Sequence, residues 1–220
     1  SAGTARRRSL GSKFVGIFDQ LTAKPWLNEG EDPEGLGPVT ARAGSIPQFA
    51  LKLFLAVAAV LFTLFLVTYM ERMIFADWQP MPEPWLLWVN TALLVAASFG
   101  MQRAWRAADE GHLAPVKAGL AIGGGCAVAF LVGQLLVWQH LIGLGYYATT
   151  NVANAFFYVL TTIHALHVLG GCVALGRTVG AVWLQGSEVA DVRVSVEMCA
   201  VYWHFLLVIW GIMFVLLLLT

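Results

Sequence analysis

Five long apolar runs dominate this sequence, and each is about as long as a helix that crosses a bilayer. A transmembrane helix needs about 20 predominantly apolar residues to span a hydrocarbon core of about 30 Å. The five runs cover residues 47–70, 85–102, 116–140, 151–183 and 192–219. Charged residues make up only 12% of the chain, too few to coat a water-facing surface, since soluble domains contain about 25%. The sequence therefore predicts an all-α fold, a polytopic membrane bundle of five transmembrane helices.

The basic residues collect on alternate connections between these runs. Seven lie before or at the start of the first run: Arg6, Arg7, Arg8, Lys13, Lys24, Arg42 and Lys52. Five more lie between the second and third runs or between the fourth and fifth: Arg103, Arg106, Lys117, Arg177 and Arg193. The opposite connections hold only Arg72. Because cytoplasmic loops carry the excess of Lys and Arg, this pattern predicts a cytoplasmic N-terminus and a periplasmic C-terminus.

Residues 1–46 are polar and are predicted to form a cytoplasmic tail ahead of the first run. An amphipathic helix is predicted within it at residues 12–24, because apolar side chains recur there at helical spacing. These side chains are Phe14, Ile17, Phe18 and Leu21. Such a stripe would lie in the membrane interface or dock on a partner subunit, and a disordered tail with chance spacing is the alternative. The net charge of zero and the lack of a basic stripe exclude nucleic acid as a partner.

Four His and Glu side chains fall inside the last two runs, in addition to Arg177 and Arg193, and each needs a reason because charge is costly in hydrocarbon. His164 and His167 share one helix face, and Glu197 and His204 share a face of the next helix. Counting about 1.5 Å per residue from the ends of the runs places Glu197 level with His167. We therefore predict that Glu197 faces His167 or His164 and ties the two helices together. A metal or haem ligand pair at His164 and His167, or a proton-transfer role, is the alternative.

Two smaller patterns predict contacts between helices. Gln134 and Asn154 come out at similar depth by the same counting, which would allow a hydrogen bond between them. Pairs of glycines four residues apart match the small-xxx-small pattern that lets membrane helices approach closely. The two pairs are Gly119 with Gly123 and Gly176 with Gly180.

The last two runs also resemble a known family. Residues 156–171, FFYVLTTIHALHVLGG, are similar to the FF…TGFHGLHVxxG signature of subunit III of the haem–copper oxidases. The positions that resemble this family's E…YWHFVDVVW segment are Glu197, Tyr202, Trp203, His204, Phe205 and Trp210. Asn90 with Thr91, and Gln134, give weaker support. The resemblance covers residues 47–220, which are interpreted as a five-helix subunit III-like transmembrane domain.

By this resemblance the chain is the non-catalytic subunit III of a terminal oxidase, a cytochrome c oxidase of the aerobic respiratory chain, in its short five-helix bacterial form. It would then lie in the bacterial inner membrane, pack against the catalytic subunit, and support proton uptake and stability during oxygen reduction. The family holds its haem and copper in partner subunits I and II, so the resemblance implies no catalytic, cofactor-binding or metal-binding residue in this chain. Phospholipid is a further expected ligand, and the tail could contact other respiratory-complex subunits.

The sequence departs from the family at three acidic positions. Residues 58–62 replace the family's SEVxxF carboxylate segment, Leu207 replaces the Asp of HFVDVVW, and the acid expected near Val137 is missing. A scaffold role is therefore expected to persist better than a proton-handling role. The alternatives are a subunit III homologue of a quinol oxidase or nitric oxide reductase, and an independent haem- or metal-binding membrane protein that uses His164 and His167. A small transporter is a third class, but no internal repeat supports it.

Overall fold

The computed structural model describes residues 45–75, 78, 84–184 and 189–219, which form five helices and their connections. The helices are α1 (Ser45–Arg72), α2 (Leu86–Asp109), α3 (Leu113–Gly143), α4 (Val152–Leu184) and α5 (Val189–Leu218). Each coincides with one predicted apolar run, so the predicted all-α class is confirmed for these residues. The predicted tail, with its amphipathic helix at residues 12–24, lies outside the described residues apart from residues 45 and 46.

Four of the helices, α1, α3, α4 and α5, are long and apolar enough to cross a membrane. The second helix is not among them, because polar and basic residues occupy several of its positions: Asn90, Thr91, Ser98, Gln102, Arg103 and Arg106. Asn90 and Ser98 are buried inside the bundle rather than exposed on its outer surface. Four of the five predicted spans therefore have the length and composition to cross a membrane, and α2 differs because it carries polar groups into the core.

The second helix packs between α3 and α5. It packs most extensively against α3 and also against α5, while α4 packs on α5 and α3. The first helix contacts α4 and α5 along one side and leaves most of its apolar residues facing outward. The largest fully buried side chains include Phe62, Leu94, Phe130, Phe157, Trp203 and Trp210. The core therefore lies among α2, α3, α4 and α5, and α1 covers it on the side of α4 and α5.

One end of the bundle is fixed by a turn and an ion pair. Gly111 adopts a φ of +77°, a left-handed conformation that closes the C-terminus of α2 and is readily available to glycine. The His112 N–H then bonds the Ala107 carbonyl at 2.9 Å, which directs the chain back along α3. Arg193, near the start of α5, forms an ion pair with Asp109 at the end of α2. The C-terminus of α2 and the N-terminus of α5 therefore meet at this end.

Glycines let α2 and α3 approach almost to backbone contact. A Cβ added at Gly119 would lie 2.7 Å from the Gly100 carbonyl oxygen and 2.8 Å from the Ala104 nitrogen. A Cβ added at Gly100 would lie 2.9 Å from the Gly123 nitrogen. The predicted close approach at Gly119 and Gly123 is confirmed. The prediction for the second pair is wrong for the described residues, because a Cβ at Gly176 or Gly180 would meet none of their atoms within 4 Å.

We expect Gly119→Ala to destabilise the bundle by about 1–3 kcal/mol, because the new methyl group would push against backbone atoms that cannot move independently. The measurement is the temperature at which the detergent-solubilised full-length chain loses its monodisperse gel-filtration peak. Gly125→Ala is the matched control, since nothing lies within 4 Å of a Cβ on Gly125. That control should be as stable as the parent or more stable, because Ala is a better helix former by about 1 kcal/mol. Equal loss in both variants would contradict the close packing of α2 and α3.

Candidate functional site

His164 lies in the middle of the bundle, enclosed by aromatic rings. It is completely buried, and the centre of its ring lies 5.2 Å from that of Trp210, 5.8 Å from that of Phe130 and 6.4 Å from that of Phe62. The Phe130 and Phe62 rings meet it edge to face, a favourable arrangement for aromatic groups. Neither ring nitrogen has a hydrogen-bond partner in the described part of the chain. His164 is therefore held by ring packing alone.

His167 lies one turn further along α4 and is only half-buried. Its Nδ1 lies 2.8 Å from the Ile163 carbonyl oxygen. Because a carbonyl can only accept, Nδ1 carries the proton and donates. The Tyr202 hydroxyl of α5 donates to the His167 carbonyl oxygen at 2.8 Å. The backbone carbonyl of His167 therefore joins α4 to α5. Its imidazole bonds only to α4 among the described residues.

Glu197 pairs with the first helix. The Gln48 Nε2 group donates to the Glu197 Oε2 atom at 3.2 Å, so this bond joins α1 to α5. The predicted hydrogen-bonded tie to His164 is wrong, because both nitrogens of that ring lack a partner. The predicted contact between Glu197 and His167 is also wrong, because the two residues lie at different levels along the bundle axis. Tyr202 packs on Gly171, so Glu197, five residues earlier on antiparallel α5, lies on the order of 13 Å along the bundle axis from His167.

The depth prediction failed because the fourth helix is much longer than the hydrocarbon core. At about 1.5 Å per residue, its 33 residues extend roughly 50 Å, against a core of about 30 Å. Counting 30 Å from the outer end therefore set the inner boundary too early on α4. The depth count on α5 has the same fault, because its 30 residues extend roughly 45 Å. Glu197 lies level with the C-terminal part of α4, beyond His167.

His204 contacts the second helix. Its Nδ1 lies 2.6 Å from the Ala200 carbonyl oxygen and 3.3 Å from the Ser98 hydroxyl of α2. The rest of the side chain is exposed on the outer surface of the bundle. The four predicted ionisable residues therefore do not form one cluster. They occupy an aromatic core position, a half-buried position, a contact with α1 and an exposed position beside α2.

The weaker signature residues instead take part in hydrogen bonds that join three helices, one buried and one partly buried. Asn90 Nδ2 of α2 donates to Gln134 Oε1 of α3 at 3.1 Å. The Trp210 indole N–H of α5 donates to the Thr91 hydroxyl at 2.9 Å. The predicted bond between Gln134 and Asn154 is wrong, because the Asn154 amide donates to the Tyr147 carbonyl oxygen at 3.2 Å instead. The polar groups of α2 therefore bond both to α3 and to α5.

Sequence reasoning missed three partners of these residues: Gln48, Thr91 as a hydrogen-bond acceptor, and Ser98. Each is a polar residue within a helical segment, so the signal was present, but no spacing rule says which neighbouring helix a polar group meets.

Trp203 is fully buried, and its indole nitrogen has no hydrogen-bond partner in the described ranges. No group of three or more His, Cys, Asp and Glu side chains in those ranges comes close enough to hold a metal ion. The described polar side chains of this site therefore serve contacts between helices.

Relatives among curated proteins carry the name cytochrome c oxidase subunit 3. The protein of Synechocystis sp. is 32% identical over 174 residues, which cover 76% of this chain and 73% of the relative. That of Thermostichus vulcanus is 34% identical over 132 residues, which cover 59% of this chain and 63% of the relative. No family model matches the chain. The identity and coverage of the first relative, together with the signature positions in α4 and α5, show that the chain belongs to the cytochrome c oxidase subunit 3 family.

Proposed function

We propose that this chain is a non-catalytic subunit of a haem–copper terminal oxidase, in which the chemistry takes place in partner subunits I and II. The main support for the proposal is the set of contacts that the signature residues make. Asn90 and Trp210 serve contacts between helices, while His164 is packed among rings. A catalytic site requires groups that converge on one reacting atom. Together with family membership, this usage favours an accessory role.

The proposal includes five membrane spans with a cytoplasmic N-terminus, in a bacterial inner membrane. The second helix is about 36 Å long at the usual rise, enough to cross the core, and its polar residues Asn90 and Ser98 point inward. Its outward side carries Trp88, Val95 and Phe99, which suit lipid or a partner helix. The basic ends of α2, α3 and α4 would then lie on the cytoplasmic side with the start of α1.

The role we propose within the complex is mainly structural. The subunit would pack against the catalytic subunit and keep it stable during oxygen reduction, and it would support proton uptake more weakly than acid-rich family members. Leu207 and Val137 are apolar where the family is often acidic. Glu197, which does lie within a span, already accepts a hydrogen bond from Gln48. These observations support a scaffold more strongly than a proton path.

A phospholipid is the ligand that we propose for a groove between α1, α4 and α5. The groove encloses about 450 Å³ and is lined mainly by apolar groups, among them Phe54, Gly171, Ala174 and Met198. Arg177 lies on its lining as a cation that suits a lipid phosphate. An acyl chain would follow the apolar wall. The tail at residues 1–46 is proposed to contact other subunits of the respiratory complex.

We expect affinity purification of the full-length chain from its native membrane to recover haem-bearing oxidase subunits I and II. The reason is that, in the proposed complex, subunits I and II bind the haem and copper of the reactive centre and this chain binds none. The measurements are mass spectrometry of the purified material and a reduced-minus-oxidised haem spectrum. Recovery of nitric oxide reductase subunits, or of a quinol oxidase, would replace the proposed complex with that alternative. A solitary chain with its own cofactor would contradict the proposal.

Replacing His164 with leucine should leave the haem spectrum of that purified complex unchanged, because the ring is proposed to be a packing group and not a ligand. His167→Leu is the parallel variant and should behave in the same way. The His164→Leu substitution removes two polar atoms that have no hydrogen-bond partner among the described residues, so the folded chain should be retained in the complex. Loss of an absorption band in either variant would show that this pair binds haem and would overturn the assignment.

A further inference from the structure

One outer face of the bundle combines an apolar stripe with a single imidazole. On α5 the exposed side chains recur at helical spacing: Val201, His204, Val208, Ile212 and Val215. The neighbouring exposed side chains of α2 are Trp88, Val95 and Phe99. The two helices are locked together at this face, since Trp88 packs edge to face on Phe214 at 4.9 Å and Ser98 contacts His204. We refer to these eight exposed residues as the α2/α5 face.

His204 lies too deep for its polar ring to reach water along its own side chain. It is near the middle of α5 (Val189–Leu218), roughly 21 Å from either end at about 1.5 Å per residue. Half of a hydrocarbon core is about 15 Å. In the described ranges the other exposed ionisable side chains of the helices, such as Lys52 and His140, lie near helix ends. A lipid-facing imidazole at mid-depth is costly, so its environment needs a polar group.

The hydrogen bonding of His204 defines what that group must be. The 2.6 Å contact to the Ala200 carbonyl oxygen requires Nδ1 to carry the proton, because a carbonyl only accepts. In the neutral ring Nε2 is then an acceptor, directed away from these contacts. Two exposed hydroxyls of α1 do not have this need, since Thr63 and Thr68 each donate to a carbonyl of their own helix at 2.8 Å. His204 retains an acceptor that its own chain does not satisfy among the described residues.

We propose that the α2/α5 face packs against a transmembrane helix of a partner subunit, and that this helix donates a hydrogen bond to Nε2 of His204. The partner helix is apolar where it meets Val201, Val208 and Ile212, and it presents one hydroxyl, amide or indole N–H at the level of His204. Lipid acyl chains fit the apolar stripe but supply no donor at this depth. The partner is taken to be an oxidase subunit, and in that respect the inference rests on the proposed function.

Photocrosslinking in native membranes tests the contact directly. A benzoylphenylalanine placed at Val208, one turn from His204 on the exposed stripe, should form an adduct with another membrane subunit of the purified complex. Adducts with lipid only would overturn the inference, and so would an adduct with a second copy of this chain. The two proposals fail separately. An oxidase that co-purifies without a protein adduct at Val208 contradicts the docking face, whereas an adduct with a protein outside any oxidase contradicts the proposed function.

Substitution of His204 tests the hydrogen bond itself. We expect His204→Leu to be lost from the detergent-solubilised complex about 3- to 30-fold faster than the parent, the range of measured interhelical hydrogen bonds in membranes. His204→Gln keeps an amide oxygen as an acceptor and should be retained better than His204→Leu. Thr68→Val is the matched control, because Thr68 is exposed but bonds its own helix. If His204→Leu is retained in the complex as well as the parent, the proposed hydrogen bond to His204 is refuted, even if the α2/α5 face still crosslinks to protein.

Discussion

Hydrocarbon offers no hydrogen-bond partner to a polar side chain, and this constraint explains the position of the second helix. It carries Asn90, Thr91 and Ser98 in a segment that must lie within the bilayer if the chain spans it five times. Each of these groups meets a partner on another helix: Gln134 on α3, Trp210 on α5 and His204 on α5. A helix with such contacts is most stable when its polar side is turned toward α3 and α5, and its apolar side then faces outward.

The close approach of α2 and α3 follows from the same constraint. An amide–amide bond of 3.1 Å between Asn90 and Gln134 requires the two backbones to lie near each other. A Cβ on Gly133 would overlap the Asn90 side chain. Further along, a Cβ on Gly119 would overlap the α2 backbone, and one on Gly123 would overlap the Met101 side chain. The polar bond and the glycines are therefore two parts of one interface. Without a hydrophobic driving force between helices in lipid, such packing and bonding hold them together.

Sequence reasoning found the helices but not their neighbours. Apolar run length predicted every helix of the described chain, because the hydrocarbon thickness sets a length that composition reveals. Glycine spacing predicted the contact at Gly119 and Gly123, yet the same spacing at Gly176 and Gly180 led to no contact within the chain. Depth counting paired Gln134 with Asn154 and Glu197 with a histidine, and the structure pairs them with Asn90 and Gln48. Depth restricts partners along one axis only, whereas the order of helices around the bundle decides which side chains meet.

His164 and His204 come one from each signature segment, and they affect different processes. His164 has two ring nitrogens without a partner among the described residues, but it is enclosed by Trp210, Phe130 and Phe62, so its desolvation cost arises as soon as the chain folds. Ring contacts offset part of that cost, and no later event changes it. His204 has one ring nitrogen fixed by Ala200 and its other side exposed, so its environment changes when the outer face is covered. The stability of the bundle is therefore sensitive to the first imidazole, and assembly with a partner helix is sensitive to the second.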